Sequence, residues 1–538
     1  MSSAAEVETP RATHVLDRNP NAALVAFVVM AVLAVPLYLW AGRFRWFFHD
    51  EWNVLVNVDG GNISDLLAAD NEHWTTLPRA VYRVLFNVFG LRSYVPYQLV
   101  TIALHVAAAA MLRVVMRRAG VSAWMATIVA VVFLLFGSGD HNIVRAFQMT
   151  FTGAIVFGLI QLLLADHGGS IDRRDWLGLG SGLLALACSG VGIAMVAAVA
   201  GAALVRRGWR VALFHALPLF LVYLTWWFRF AREIYEPSGA GLRKIASFAL
   251  ACLTGSADAF AQSTIVAMLV VVVLVIGWVL ALRSHVASGS IGRLALPVAL
   301  LFGMAVFVGL TAWSRAPMGA GFASQSRYVY VVVALASPAL AVAADQIARR
   351  AVLLVPLVIC VLLIGVPGNV HTTWTQTGPG RGERTDREIL LAAPRVPAVA
   401  DVPDWTRPEP ESARYVTMGW LRRLAADGRL PMPRDIDPMI EASVIFRLSV
   451  QLVGRRPAEG CEPIDEQAVV RLEPEKWVHF RGTILVFDSN APSDDRVVLQ
   501  FDGDSRTALT AVSTPIDVTI RPRRGGAPAE LCSVREPN

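Results

Sequence analysis

Three short stretches of this chain set carboxylates beside histidines: "HDEW" at 49–52, "NEHW" at 71–74 and "GDHN" at 139–142. Asp50 and Glu51 are adjacent and closely follow a long apolar run that ends near residue 42. A carboxylate at such a boundary is partly desolvated, its pKa is raised, and it suits proton removal from an attacking hydroxyl. Glu72–His73 and Asp140–His141 repeat the acid–histidine pairing and read as a second acidic or acceptor site. Glu51, Asp140 and His141 also suit a divalent cation such as Mg, Mn or Ca, although their spacing has no fixed ligand signature. A phosphate partner calls for cations, and Arg327, Arg145, Arg243 and Lys244 fall in the same class of loops.

The elements that position these residues are membrane spans. The 538 residues are 55% hydrophobic and 17% charged, against roughly 25% charged in ordinary soluble chains. Apolar runs at 22–42, 95–116, 122–137, 148–165, 176–188, 190–205, 210–229, 264–283, 294–313, 328–345 and 351–368 predict about eleven transmembrane helices. Between 176 and 205 the break is placed at "CSGVG", where Gly190 and Gly192 interrupt a helix.

Paired arginines at 117–118, 173–174, 206–207 and 349–350 mark cytoplasmic loops and a cytoplasmic N-terminus, with the first helix retained. The loops 43–94, 138–147, 230–263 and 314–327, and everything after about 369, then face outward. The net charge of +6 is spread over short loops rather than gathered on one face, which argues against nucleic acid. Arginine supplies nearly all of it beside only two lysines, a high-GC, actinobacterial type of composition.

Four regions follow: a cytoplasmic leader 1–21, an all-α polytopic membrane domain 22–370, an extracytoplasmic linker 371–440 with one helix in "ESARYVTMGWLRRLAADGRL", and a mostly-β domain 441–538. In the last, "ASVIFRLSVQL", "WVHFRGTILVF", "DRVVLQF" and "PIDVTI" alternate at period two, with turns such as "DSNAPSDD", and predict a sandwich or jelly roll. Cys188, Cys252 and Cys360 lie in or near apolar runs, whereas Cys461 and Cys532 bracket the β-patterned tail and form a disulfide if it is extracytoplasmic.

This layout resembles the GT-C superfamily of integral-membrane glycosyltransferases, with the likeness covering about 1–370. "HDEW" stands after the first span, where that family has an acidic pair, and "GDHN" stands between the third and fourth spans, where many members have a second acidic motif. "GLRSYVPYQLVTIALHVAAAAMLRVVMRRAG" and "SQSRYVY" at 324–330 look like the family too. The resemblance implies an inverting enzyme that takes a sugar from polyprenyl phosphate, with Asp50 as base beside Glu51. Of an actinobacterial member it implies a plasma-membrane enzyme that moves arabinofuranose or mannose from decaprenyl phosphate to a cell-envelope glycan or glycolipid.

Blander readings stand beside these. The acidic pair can be a polar flank, His105 a histidine hydrogen-bonded inside the bundle, and Trp46, Trp52, Trp226 and Trp227 an interfacial belt or sugar platforms. The glycine stretches "PSGAGLRK" and "APMGAGF" lack the strand and the G-K-[ST] of a nucleotide loop. The rival functions are a flippase or transporter of lipid-linked sugars, which should show repeat symmetry, and a non-catalytic envelope scaffold.

Overall fold

The computed structural model describes residues 16–70, 72–232, 239–350, 353–376, 381–433, 435–454, 459–489 and 498–533. Most of the predicted leader, part of "PSGAGLRK" and most of "DSNAPSDD" lie outside them. The chain forms two compact units. The first holds Met1–Arg45, Asn62–Tyr82 and Val95–Gly378; the second holds Trp46–Gly61, Arg83–Tyr94 and Pro379–Asn538.

The first unit is helical. Eight of its described helices are long and apolar enough to cross a membrane, among them Pro20–Ala41, Val95–Arg118, Thr264–Ala287 and Ser326–Ala348. They keep large apolar side chains on their outer faces, such as Leu24, Val28, Val32 and Ile276. A protein with so many exposed apolar helices is a multi-pass membrane protein. Arg173–Leu186 and Val191–Arg207 are separate helices, broken where the glycines predict. Leu242–Ala261 is an additional helix within a stretch expected to be loop. Ser326–Ala348 is the central element, buried almost without interruption from Tyr328 to Asp345.

Two further stretches differ from expectation. "NEHW" is not helical: Ala69–Asp70 (β1) and His73–Trp74 (β2) form a small antiparallel hairpin, and the helix begins at Thr76, with Pro78 in its first turn. Proline fits there because first-turn N–H groups have no intrahelical partner. "GSGDHNIVRAFQ" is not an open loop either. Helix Ala123–Leu134 bends by 48° into Gly137–Val144, and that segment is largely buried. Glycine permits the close approach: a Cβ at Gly137 would lie 1.8 Å from the Asn369 carbonyl oxygen, and one at Gly139 would lie 2.6 Å from the Tyr330 ring.

In the second unit, pieces of the first long loop fold with the tail. Asp59 accepts from Trp420 Nε1 at 2.9 Å and Arg429 Nη1 at 3.0 Å. The Arg429 guanidinium stacks over Phe86, and its carbonyl accepts from Leu91 N–H at 2.8 Å. The tail helix is Met418–Ala426, capped by Thr417. "ASVIFRLSVQL" opens as helix Pro438–Ser449 rather than as strand, because Asp437 caps it by accepting from Met439 N–H and Pro438 supplies helical φ.

Among the described residues the strand-rich part is one antiparallel sheet of seven strands: β3 Val450–Gly454, β4 Glu459–Pro463, β5 Ala468–Leu472, β6 Val478–Asp488, β7 Val498–Ala511, β8 Ile516–Pro522 and β9 Glu530–Ser533. The main order is β3-β7-β6-β8-β5, and β6 pairs successively with β9 and β8 along one edge. Phe480, Ile484, Val486, Phe501 and Leu509 fill its core. Cys461 and Cys532 face each other across β4 and β9 and are disulfide-bonded.

That bond closes a separation of 71 residues, and such a cross-link stabilises by about 4 kcal/mol through the unfolded chain. The double variant Cys461→Ser/Cys532→Ser in the full-length protein is therefore expected to lose protease resistance between 459 and 533 while the membrane helices keep theirs. Equal digestion of both proteins would show that the sheet stands without the bond.

Candidate functional site: an arginine cluster and an exposed carboxylate

In the first unit the segment after the bend, Gly137–Val144, and the start of the central helix are laced together. Ser326 Oγ donates to Asp140 Oδ1 at 2.8 Å and accepts from the His141 N–H at 3.1 Å, while Asn142 Nδ2 donates to the Arg327 carbonyl at 3.1 Å. From helix Val95–Arg118, Gln98 Nε2 donates to the carbonyls of Val144 and Gly42, and Thr101 Oγ1 donates to Ala146 O. Asp140 is only 3% exposed and already engaged. It braces the segment.

Around His141 the guanidinium groups of Arg145, Arg45 and Arg327 lie within electrostatic range. The Arg327 side chain rests against Phe322 and Tyr328, and its buried Nε has no hydrogen-bond partner among the described residues. Arg327 and Arg315 also reach His73 electrostatically. The arrangement suits an anion, because guanidinium groups grip phosphate or carboxylate through paired hydrogen bonds. A divalent cation on Asp140 and His141 would share the site with these three arginines and with Ser326, which already engages one Asp140 oxygen.

Among the described residues, His167, Asp172 and Asp175 are the group whose candidate ligand atoms lie within 4.8 Å of one another. There Arg207 already grips both Asp175 oxygens, and His215 Nε2 donates to one of them at 2.9 Å. That cluster is an ion-pair network tying helices together.

The other sequence candidates of this unit are spread out. Arg243 and Lys244 are exposed at the start of helix Leu242–Ala261, and no contact among the described residues joins them to the cluster. His73 lies against the backbone at Gly190, and Glu72, at φ 71°, sits within range of Tyr223. Trp74 stacks on Trp226 at 5.4 Å, so Trp226 is an interior packing residue rather than part of an interfacial belt.

In the second unit Asp50 and Glu51 open helix Asp50–Asp59 and part company. Glu51 is 3% exposed; it accepts from Tyr94 Oη at 3.0 Å and from the Phe48 N–H at 3.0 Å. Asp50 is exposed. The preceding His49 has φ 45°, a left-handed backbone that only a well-determined surrounding sustains in a non-glycine residue. Trp46, Phe47, Trp52 and Tyr94 pack edge to face behind it, which makes Trp46 and Trp52 interior residues as well.

Sequence reasoning missed a buried group in this unit. Glu409 is bonded to Arg447, and burial with neighbouring Asp386 nonetheless pushes its carboxyl up to about 7. Asp386, itself raised by burial, lies in the field of His49. Arg45 and Arg315 were also missed; single arginines at span ends read as ordinary flanks.

No protein-family model matches the chain, and no curated protein matches it in sequence. Among solved structures it is similar to ArnT from Cupriavidus metallidurans in the apo state, with a TM-score of 0.48 and 12% identity over 91% of this chain and 98% of that one. A likeness of that order leaves the function to be argued from the site.

Burial, with Arg315 and Arg327, pushes the His73 imidazole down to about 4, so it is neutral at pH 7. The unfolded chain takes up that proton near pH 6.5 and the folded chain does not. Stability is therefore complete above pH 6.5 and falls as pH drops from there toward 4, by up to about 3 kcal/mol. Melting of the wild type in detergent should decline over that window, and His73→Gln should decline less. Parallel curves would contradict a neutral, half-buried His73.

Proposed function

We propose that the protein is a glycosyltransferase of the GT-C kind, moving a sugar from a polyprenyl-phosphate carrier to a hydroxyl of a cell-envelope glycan or glycolipid on the extracytoplasmic face. The observation that carries this reading is the gathering of Arg45, Arg145 and Arg327 around His141 within a multi-pass helical unit. A basic cluster of that kind suits a phosphate carried by a lipid. Following the family resemblance, arabinofuranose and mannose on decaprenyl phosphate are the donors to test first.

On this reading the acceptor oxygen bonds to the anomeric carbon as the carbon–oxygen bond to phosphate breaks. The prenyl phosphate leaves with the electron pair, and the acceptor proton passes to a carboxylate base, for which the family resemblance implies Asp50. A single displacement inverts the sugar's configuration, by analogy with inverting hydrolases. Asp50 is exposed rather than partly desolvated as its place beside the apolar run suggested, and it fits the base better than Glu51 because it is open to a substrate, whereas Glu51 is committed to Tyr94 and Phe48. The arginines meet the charge that develops on the departing phosphate. The strand-rich sheet holds the acceptor glycan in this account.

Purified protein in detergent, given radiolabelled decaprenyl-phosphate arabinose or mannose and a crude envelope acceptor, is expected to transfer label. Asp50→Asn should reduce transfer by about 10²–10⁴-fold while changing stability by no more than about 0.5 kcal/mol, as an exposed substitution does. Glu51→Ala should instead cost about 2 kcal/mol of stability, because a buried hydroxyl and N–H lose their acceptor. Equal transfer by wild type and Asp50→Asn would assign the base elsewhere. Lipid-linked sugar crossing a vesicle membrane without transfer would replace the enzyme with a transporter.

A further inference from the structure

Helix Ala123–Leu134 stops inside the bundle, so the Leu134 C=O and the Ser138 N–H, which would pair if the helix ran on, do not bond each other. Both groups find other partners. The Ser138 N–H donates to Asn369 Oδ1 at 3.0 Å. The Leu134 carbonyl accepts from Tyr38 Oη at 2.6 Å and from His105 Nε2 at 3.0 Å. A carbonyl only accepts, so Nε2 carries the ring proton. His105 Nδ1 must then accept from the Tyr330 hydroxyl, 2.9 Å away.

His105 is fully buried, and so is Tyr330, which lies one helical turn beyond Ser326 and Arg327. The imidazole thus ties the bend at Leu134 to the helix that begins with Ser326-Arg327. On one side of it the chain runs into Asp140, His141 and Arg145; on the other stands Arg327.

We propose that His105 is a positioning residue for the anion site: bridging Leu134 and Tyr330, it sets the segment carrying Arg145 against the helix end carrying Arg327. This rests on the reading of that cluster as a phosphate site. His105 itself touches no substrate. Its two bonds span 29 and 225 residues of sequence, so no local propensity can replace them. Leucine at this position would fill similar space while leaving the Leu134 carbonyl to Tyr38 alone and the Tyr330 hydroxyl without its acceptor. Glutamine keeps an N–H able to reach Leu134.

The test compares wild type, His105→Leu, His105→Gln and Tyr330→Phe in detergent, with two readouts on protein that elutes as a folded species. Hydrogen exchange of amides 138–148 should be roughly tenfold faster in His105→Leu, with 191–207 unchanged. Affinity for pyrophosphate and for farnesyl phosphate should fall at least about fivefold in His105→Leu and less in Tyr330→Phe, with recovery in His105→Gln. A merely structural histidine would lower the melting temperature and leave the affinity of the folded fraction unchanged. That outcome, or unchanged exchange of 138–148, overturns the inference. A wild type that binds pyrophosphate but not farnesyl phosphate overturns the lipid-donor reading, and pyrophosphate affinity still decides His105. A wild type that binds neither overturns both.

Discussion

A helix that stops inside an apolar bundle strands polar backbone groups where water cannot reach them, and each costs several kcal/mol unless another group answers it. The first unit is organised around one such stop, at Leu134. Tyr38 and His105 answer the carbonyl, Asn369 answers the Ser138 N–H, and Gln98 and Thr101 answer carbonyls at the far end of the same segment. These side chains come from the first span, the second and the segment beyond the central helix. The break holds only when they are assembled, and the assembly brings Asp140, His141 and Arg145 beside Ser326 and Arg327.

The carboxylates divide their work by exposure. Asp140 and Glu51 are buried and occupied: Asp140 accepts from the Ser326 hydroxyl, and Glu51 accepts from the Tyr94 hydroxyl and the Phe48 N–H. Asp50 is open to solvent at the first turn of its helix. A buried, fully engaged carboxylate makes a poor proton acceptor for a substrate, because taking the proton would break the bonds that hold it. Glu409, buried beside half-buried Asp386, represents a third situation: pushed up to about 7, it partly retains a proton near neutrality, with Asp386 in the field of His49.

Much of the fold was legible because span length is a strong constraint. Each of the eleven apolar runs expected to cross the membrane falls on helix, but among the described residues only eight helices, or nine with the bent pair at Leu134, are long and apolar enough to do so; glycine separated Arg173–Leu186 from Val191–Arg207, neither of which is one of them. The pairing of Cys461 with Cys532 was legible from their positions around the β-patterned tail. The hairpin at Ala69–Trp74 was not, since two-residue strands carry no measurable alternation. Nor was helix Pro438–Ser449: its apolar residues also fit a period of two, and only the Asp437-Pro438 cap marks it as helix. In the site, Asp50, Arg145 and Arg327 were named from chemistry and loop position. The separation of Asp50 from Glu51 was invisible, because Tyr94 lies 43 residues away. Ser326, Tyr330 and Arg45 were likewise visible only once distant segments had been brought together.

The central claim is that Arg145 and Arg327 hold the phosphate of a lipid-linked sugar. It is tested most directly by cryo-electron microscopy of the protein in nanodiscs with a non-transferable decaprenyl phosphonate sugar analogue. The account predicts phosphonate density within hydrogen-bond distance of both guanidinium groups, with Asp140 still bonded to Ser326. Density seated elsewhere, for instance beside Arg118 and Arg206 at Asp166, or a lipid that leaves Arg145 and Arg327 untouched, would contradict it.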